Sequence, residues 1–221
     1  MGIMHKIKQK LLLALMQSRV YKWMLINIIP YIRFTTYYTS LRGWQYQRGY
    51  KLLKSGDIIL AVDRWKLTSH LIPGTFTHAA LCVAKGEEWE VSEMTHENYR
   101  QSTFFDICKE SDRVVILRCS DWDTEYVQKV IDKCKSFINA QYDVDFDLNG
   151  VTALYCSELV YQSDFERRLK VDLSDLAGIG RAYISPDDIW EARNRTLIWD
   201  SAFPNYILLT PPYLVNKGKS L

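Results

Sequence analysis

The chain reads as an α+β protein in which a central antiparallel sheet packs against a helix that begins at a cysteine. Three observations carry that expectation. The short apolar runs Asp57 to Val62, Phe76 to Val83 and Arg113 to Cys119 have the length and composition of buried strands. Glu88 to Glu93 follows the second run across the turn Lys85-Gly86-Glu87, which pairs the two as an antiparallel hairpin. Thr124 to Ala140 sets Val127, Val130, Ile131, Cys134, Phe137 and Ile138 on one face of an amphipathic helix, and Asp123 stands where its N-cap belongs.

Taken in order, residues 1–50 read as a basic amphipathic helical extension and residues 51–221 as the globular domain. Ten Lys and Arg residues lie between Met1 and Lys54, with no acidic residue before Asp57. The net charge of +2 hides this asymmetry, because the remainder is net acidic. Ile3, Ile7, Leu11, Ala14 and Leu15 recur at helical spacing, and Trp23-Met24-Leu25-Ile26 and Ile28-Ile29 follow among many tyrosines. Such a composition suits an interfacial segment, so an anionic membrane surface is the expected partner of residues 1–50; the competing reading packs the segment on the domain itself.

Arg19, Lys22 and Asn27 interrupt the apolar run well short of the roughly 20 residues a spanning helix needs. Leu11 to Met16 is too short for a secretory signal, Ser18-Arg19-Val20 lacks a small-x-small cleavage pattern, and Lys6 stands where myristoylation requires Ser or Thr. The expected location is therefore cytoplasmic or peripherally membrane-associated. No nucleic-acid recognition motif accompanies the positive charge, and nucleic acid is not an expected partner.

Further along, the loop from Asp63 to Thr75 is long for a strand connection and carries Trp65, His70 and Pro73-Gly74; one reading has it shape a substrate pocket through Trp65, and the plainer one has Trp65 and Phe76 as ordinary packing. Ser185-Pro186-Asp187-Asp188 places a cap, an N1 proline and an acidic first turn in succession, which predicts a short helix to about Arg193. Thr196 to Trp199 and Tyr206 to Leu209 read as closing strands. With 48% hydrophobic, 13% aromatic and 24% charged residues, 221 residues suffice for one well-packed domain and an arm, and the charged content argues against disorder. The five cysteines are odd in number and form no C-x-x-C pair or Cys/His cluster. Neither a disulfide framework nor a zinc site is indicated, a reducing compartment fits, and no metal or cofactor is expected. Gly178-Ile179-Gly180 lacks the strand-turn-helix setting of a phosphate loop.

The chemistry concentrates between Gln141 and Tyr161. Cys156-Ser157-Glu158-Leu159-Val160-Tyr161 reads as the first turns of a helix, whose unpaired N–H groups and positive dipole end favour a thiolate. A thiol nucleophile needs a base, and His78 in the strand run Phe76 to Val83 supplies an imidazole; Glu93 on the neighbouring strand is the candidate to orient it. Taken singly, each residue has a plainer reading: Cys156 shares a face with Leu159 and Val160, and a lone strand histidine or edge carboxylate is common. Only their combination argues for catalysis. Asp145-Phe146-Asp147-Leu148-Asn149-Gly150 also opens like a calcium loop, but its twelfth position is Cys156 and Glu158 falls two residues too late; a turn at Asn149-Gly150 explains the segment better.

These landmarks together resemble the circularly permuted papain-like enzymes of the NlpC/P60 superfamily. The resemblance rests on Ser55-Gly56-Asp57 opening a strand, Thr77-His78-Ala79, Gln141-Tyr142-Asp143 and Tyr155-Cys156-Ser157-Glu158-Leu159-Val160, with Ser185-Pro186-Asp187-Asp188-Ile189 as a fifth match, over roughly Lys51 to Ile207. The histidine strand precedes the cysteine helix, which is the permuted order. The resemblance implies a papain-like core, with the sheet open or curled into a small barrel, and a triad of Cys156 as nucleophile, His78 as base and Glu93 as orienting residue. It implies hydrolysis or acyl transfer at an amide or ester through a thioester, on a peptide, acyl or lipid-like substrate met by Tyr155, Tyr142 and Trp65. Gln141 and the loose Ser92-Glu93-Met94-Thr95 segment depart from the usual pattern. The alternative is a catalytically inactive binding or scaffold protein of the same fold that contacts lipid through its basic arm.

Overall fold

Ile58 to Val62 is an uninterrupted apolar run because both of its faces are covered. This strand, β1, lies in the middle of the sheet that organises the protein. The computed structural model describes residues 17–32, 41–64, 74–148, 152–176 and 180–203. Within them, α1 (Arg19–Asn27), a 3-10 turn (Ile29–Tyr31) and α2 (Gly43–Leu52) precede β1. There follow β2 (His78–Lys85), β3 (Trp89–Thr95), β4 (Asn98–Thr103), α3 (Phe104–Glu110), β5 (Arg113–Cys119) and α4 (Thr124–Lys135). The rest comprises β6 (Gln141–Tyr142), β7 (Ala153–Leu154), α5 (Cys156–Ser163), β8 (Ser174–Asp175), β9 (Ala182–Tyr183), α6 (Pro186–Trp190) and β10 (Arg195–Asp200).

Six strands form one sheet in the order β10-β5-β1-β2-β3-β4, every pairing antiparallel. Among the described residues the sheet is open, with β10 and β4 at its edges. The small-barrel form of the expectation is thus corrected: β4 and β10 do not pair, because each is hydrogen-bonded to a single neighbour.

Period-two alternation splits the core between the two faces. Ile58, Leu60, Ala79, Leu81, Val115 and Leu117 point to the side covered by α4 and α5, where they meet Tyr126, Val130, Leu159 and Val160. Ile59, Ala61, Ala80, Cys82, Val114 and Ile116 point to the other side and pack with Phe104, Ile107 and Trp199, flanked by Tyr46 and Tyr50 of α2. Each fully buried aliphatic side chain of this kind contributes roughly 1.5–3 kcal/mol. α2 spans the 50/51 position at which the sequence reading divides the chain.

The Gly-Asp landmark proves to be a structural staple. Gly56 has φ +86°, the left-handed region glycine adopts without strain, and a Cβ there would lie 2.6 Å from Cγ1 of Val127. This turn sends Asp57 into the interior, where its carboxylate accepts a bidentate pair from Arg118 (2.7 and 2.8 Å) and the N–H of Lys54 (2.7 Å). Its carbonyl accepts from Cys82 N–H, so one residue ties β1 to β5 and β2.

Several elements differ from the sequence expectation. α4 ends at Lys135 rather than Ala140, where the Ser136 hydroxyl donates to the Lys133 carbonyl at the helix end. α6 ends at Trp190 rather than Arg193, because the Arg193 N–H is drawn away to the Lys170 carbonyl. β4 and α3 carry no apolar period that reveals them: β4 is a polar edge strand in which Tyr99 alone is buried, and α3 is set by the Thr103/Asp106 capping box. The expected strand Tyr206 to Leu209, the Asn149-Gly150 turn and residues 1–16 of the arm lie outside the described residues.

Candidate active site

Helix α5 starts abruptly because Tyr155 is extended (φ −106°, ψ 174°) and its side chain does not cap the first turn. Leu159 and Val160 seat α5 on β2 and β3, which sets Cys156 against the start of β2 at 5% exposure. His78 is the first residue of β2, opposite Ala61. The chain entering it is pinned from α6, whose Asp187 carboxylate accepts the N–H groups of Thr75 and Phe76 at 2.7 and 2.8 Å. The Ser-Pro-Asp-Asp landmark therefore serves the histidine strand as well as its own helix.

In the β2–β3 register Glu93 faces Ala80, one diagonal step from His78. The diagonal is closed by a contact of 2.6 Å between His78 Nε2 and Glu93 Oε2. Glu93 is itself held from β4: Arg100, its cross-strand partner, donates Nε–H to Oε1 at 2.9 Å, and Ser102 donates its hydroxyl to the same oxygen at 2.6 Å. Arg100 and Ser102 were not legible in the sequence as site residues. The only signal for them was period-two placement on a strand that its own composition concealed.

The electrostatics follow from this geometry. Burial disfavours ionised Cys156, but hydrogen bonding with His78, the positive charge of that ring and the N–H groups of Ala79 and Ser157 outweigh it, so the thiol pKa is lowered. Burial likewise opposes the imidazolium, and hydrogen bonds to Cys156 and Glu93 with their negative charges overcome it, so the His78 pKa is raised. Glu93 is buried, which favours its neutral form, yet His78, Arg100 and Ser102 hold its pKa down to about 2. The favoured state is a thiolate and imidazolium backed by a carboxylate. With Nε2 on Glu93, Nδ1 is the ring nitrogen left to serve the sulfur.

Tyr142, half-buried on β6, lies close enough to the sulfur that, after burial, the Cys156 charge is the largest influence raising its phenol pKa. Tyr155 sits in the core: its hydroxyl accepts from Ile184 N–H at 2.9 Å and its ring packs on Phe146, so it anchors α5 instead of lining a substrate groove. Trp65 lies outside the described residues. Glu158, in the first turn of α5, is fully buried; Oε1 meets Gln162 Nε2 at 3.3 Å and Oε2 is unpartnered. Burial and then the nearby Asp143 charge raise its pKa to about 8, which leaves it neutral beside the thiolate at pH 7. Asp145 is engaged by Lys22 at 2.6 Å, and both Asp143 oxygens accept backbone N–H groups of its own loop. Among the described residues no group of three or more His, Cys, Asp or Glu is arranged to hold a metal ion.

Residues 52–204 match the family model of the permuted papain-like amidase enzymes, YaeF/YiiX. The chain is also similar to the solved structure of the metalloprotein yiiX from Escherichia coli O157:H7. The two share 18% identity with a TM-score of 0.57, over 65% of this chain and 95% of that one, a likeness of fold. No curated protein matches the chain.

Proposed function

Because the chain belongs to the permuted papain-like amidase family, whose members are cysteine-type hydrolases, we propose that Cys156, His78 and Glu93 are the triad with which it cleaves an amide or ester through a thioester. The observation that carries this reading is the imidazole held at 2.6 Å by a buried carboxylate while interacting with a thiol at a helix start.

The Cys156 thiolate adds to the carbonyl carbon, forming the S–C bond and moving the carbonyl electron pair onto oxygen. The N–H groups of the first turn of α5 and of Ala79 are candidate fixed donors for that oxyanion. Collapse expels the amine or alcohol, which takes the proton held by His78, and leaves the acyl group on sulfur. Water or an acyl acceptor then attacks, His78 removes its proton, and the S–C bond breaks to regenerate the thiolate. The second nucleophile decides between hydrolysis and transfer. We assign substrate contact to Tyr142, whose phenol pKa the Cys156 charge helps to raise, with a peptide, acyl or lipid-like group as the substrate class.

The bacterial relative is called a metalloprotein, but a metal ion does not fit the described residues of this chain. No suitable donor group is present among those described, and both Glu93 oxygens are already engaged by His78, Arg100 and Ser102.

Cys156→Ala should abolish both labelling by a thiol-directed acyl probe and turnover while leaving the unfolding midpoint close to that of the wild type. Labelling or turnover that persists in the alanine variant removes this cysteine from the reaction.

A further inference from the structure

A surface helix ordinarily turns its apolar stripe inward and its polar residues to solvent. α1 does not. Tyr21, Lys22, Leu25 and Ile26 form the half-buried side, while Val20 (68% exposed) and Trp23 (57%) stand out with Met24, flanked by exposed Arg19. Asn27 shares this outward face, and its amide donates one N–H to the Trp23 carbonyl at 2.8 Å. Ile28, Tyr31 (66%) and Ile32 continue the exposed apolar surface beyond the helix end.

We propose that this outward face of α1 is a docking surface for an anionic lipid bilayer. Trp and Tyr favour the headgroup boundary, and an apolar face of this kind inserts just below it. Charge complementarity selects the lipid: the first 54 residues carry ten Lys and Arg and no acidic residue, leaving 18 basic against 26 acidic residues in the rest. Binding would be peripheral, since no helix among the described residues is long and apolar enough to cross a membrane.

Two contacts tie α1 and the 3-10 turn after it to chain segments that carry site residues. Lys22 donates to Asp145 at 2.6 Å, three residues past Tyr142, and the Tyr31 ring meets His96 edge-on at 5.2 Å, three residues past Glu93. Docking through α1 would hold those segments close to the bilayer. Delivery of a lipid-linked substrate to Cys156 rests on the thiol reading; the docking itself does not.

The test is co-sedimentation of the full chain with phosphatidylcholine vesicles, with and without phosphatidylserine, at low and high salt. Wild type should bind the phosphatidylserine vesicles preferentially and release them as salt rises. Val20→Ser/Trp23→Ser should weaken that binding roughly ten-fold or more, with an unchanged unfolding midpoint because both side chains are exposed. Cys156→Ala should bind as wild type, which separates this outcome from the fate of the thiol reading. Absence of binding, equal binding to both vesicle types, or undiminished binding by the double variant overturns the proposal. So does a dimer in solution that the double variant dissolves, which would assign the face to a second copy of the chain.

Discussion

His78 Nε2 lies 2.6 Å from Glu93 Oε2, with the imidazole side chain 25% exposed and the carboxylate 2% exposed. The buried member is the one that carries permanent charge, because Arg100 and Ser102 compensate it from β4. A carboxylate so supported fixes the imidazole ring and stabilises its protonated form, which in turn stabilises the thiolate.

The pH dependence of Cys156 should reflect that chain of support. Its lowered pKa predicts alkylation by iodoacetamide that persists well below the ordinary thiol value of about 8.5. Turnover should be bell-shaped, with an acid limb set by the depressed thiol and an alkaline limb set by the raised His78. For folding, the His78 contribution is complete below its unfolded value of about 6.5 and fades as pH rises through its folded pKa. The Glu93 contribution is present above its unfolded value and is lost as pH falls through about 2. A labelling profile that titrates like a free thiol contradicts the ion pair.

Glu93→Gln keeps the shape of the contact but removes its charge. The His78 pKa should fall and the thiol pKa rise, cutting the labelling rate at pH 6 by roughly 10- to 100-fold, with the deficit shrinking at alkaline pH. Ser102→Ala, which removes one of the hydrogen bonds to Glu93, should act in the same direction at about 1 kcal/mol. Labelling rates measured across pH distinguish these effects from simple destabilisation, which would not recover at high pH.

Gly56→Ala should destabilise the fold by roughly 2–4 kcal/mol, since it combines a positive φ with a Cβ placed inside van der Waals contact of Val127. For a chain of this length that corresponds to a fall in unfolding midpoint of around 10 °C. Because the residue lies in a turn that supports Asp57 and not in the thiol site, activity per folded molecule at low temperature should be retained. A midpoint equal to wild type would show that α4 can move aside at no cost.

Much of this arrangement was legible in the linear chain, where local physics decides the outcome. Strand β5 matches its apolar run end to end, the caps at Asp123 and Ser185 are made, and the cysteine begins its helix. Those features depend on residues within one turn or one pleat of each other. Arg100 and Ser102 were hidden because the polar sequence Asn98 to Thr103 has no period of its own and becomes a strand only by pairing with β3.

The sequence by itself determined which groups have the required chemistry: a thiol at a helix start, an imidazole at a strand start, and a basic amino-terminal region. Only tertiary structure decided which of them meet. Strand register brought Glu93 to His78, burial turned Tyr155 into a core anchor and kept Glu158 neutral, and packing left the Val20 and Trp23 side of α1 facing outward. The physical reason is that pKa and exposure are properties of a residue's neighbours in space, and those neighbours come from segments far apart in the chain.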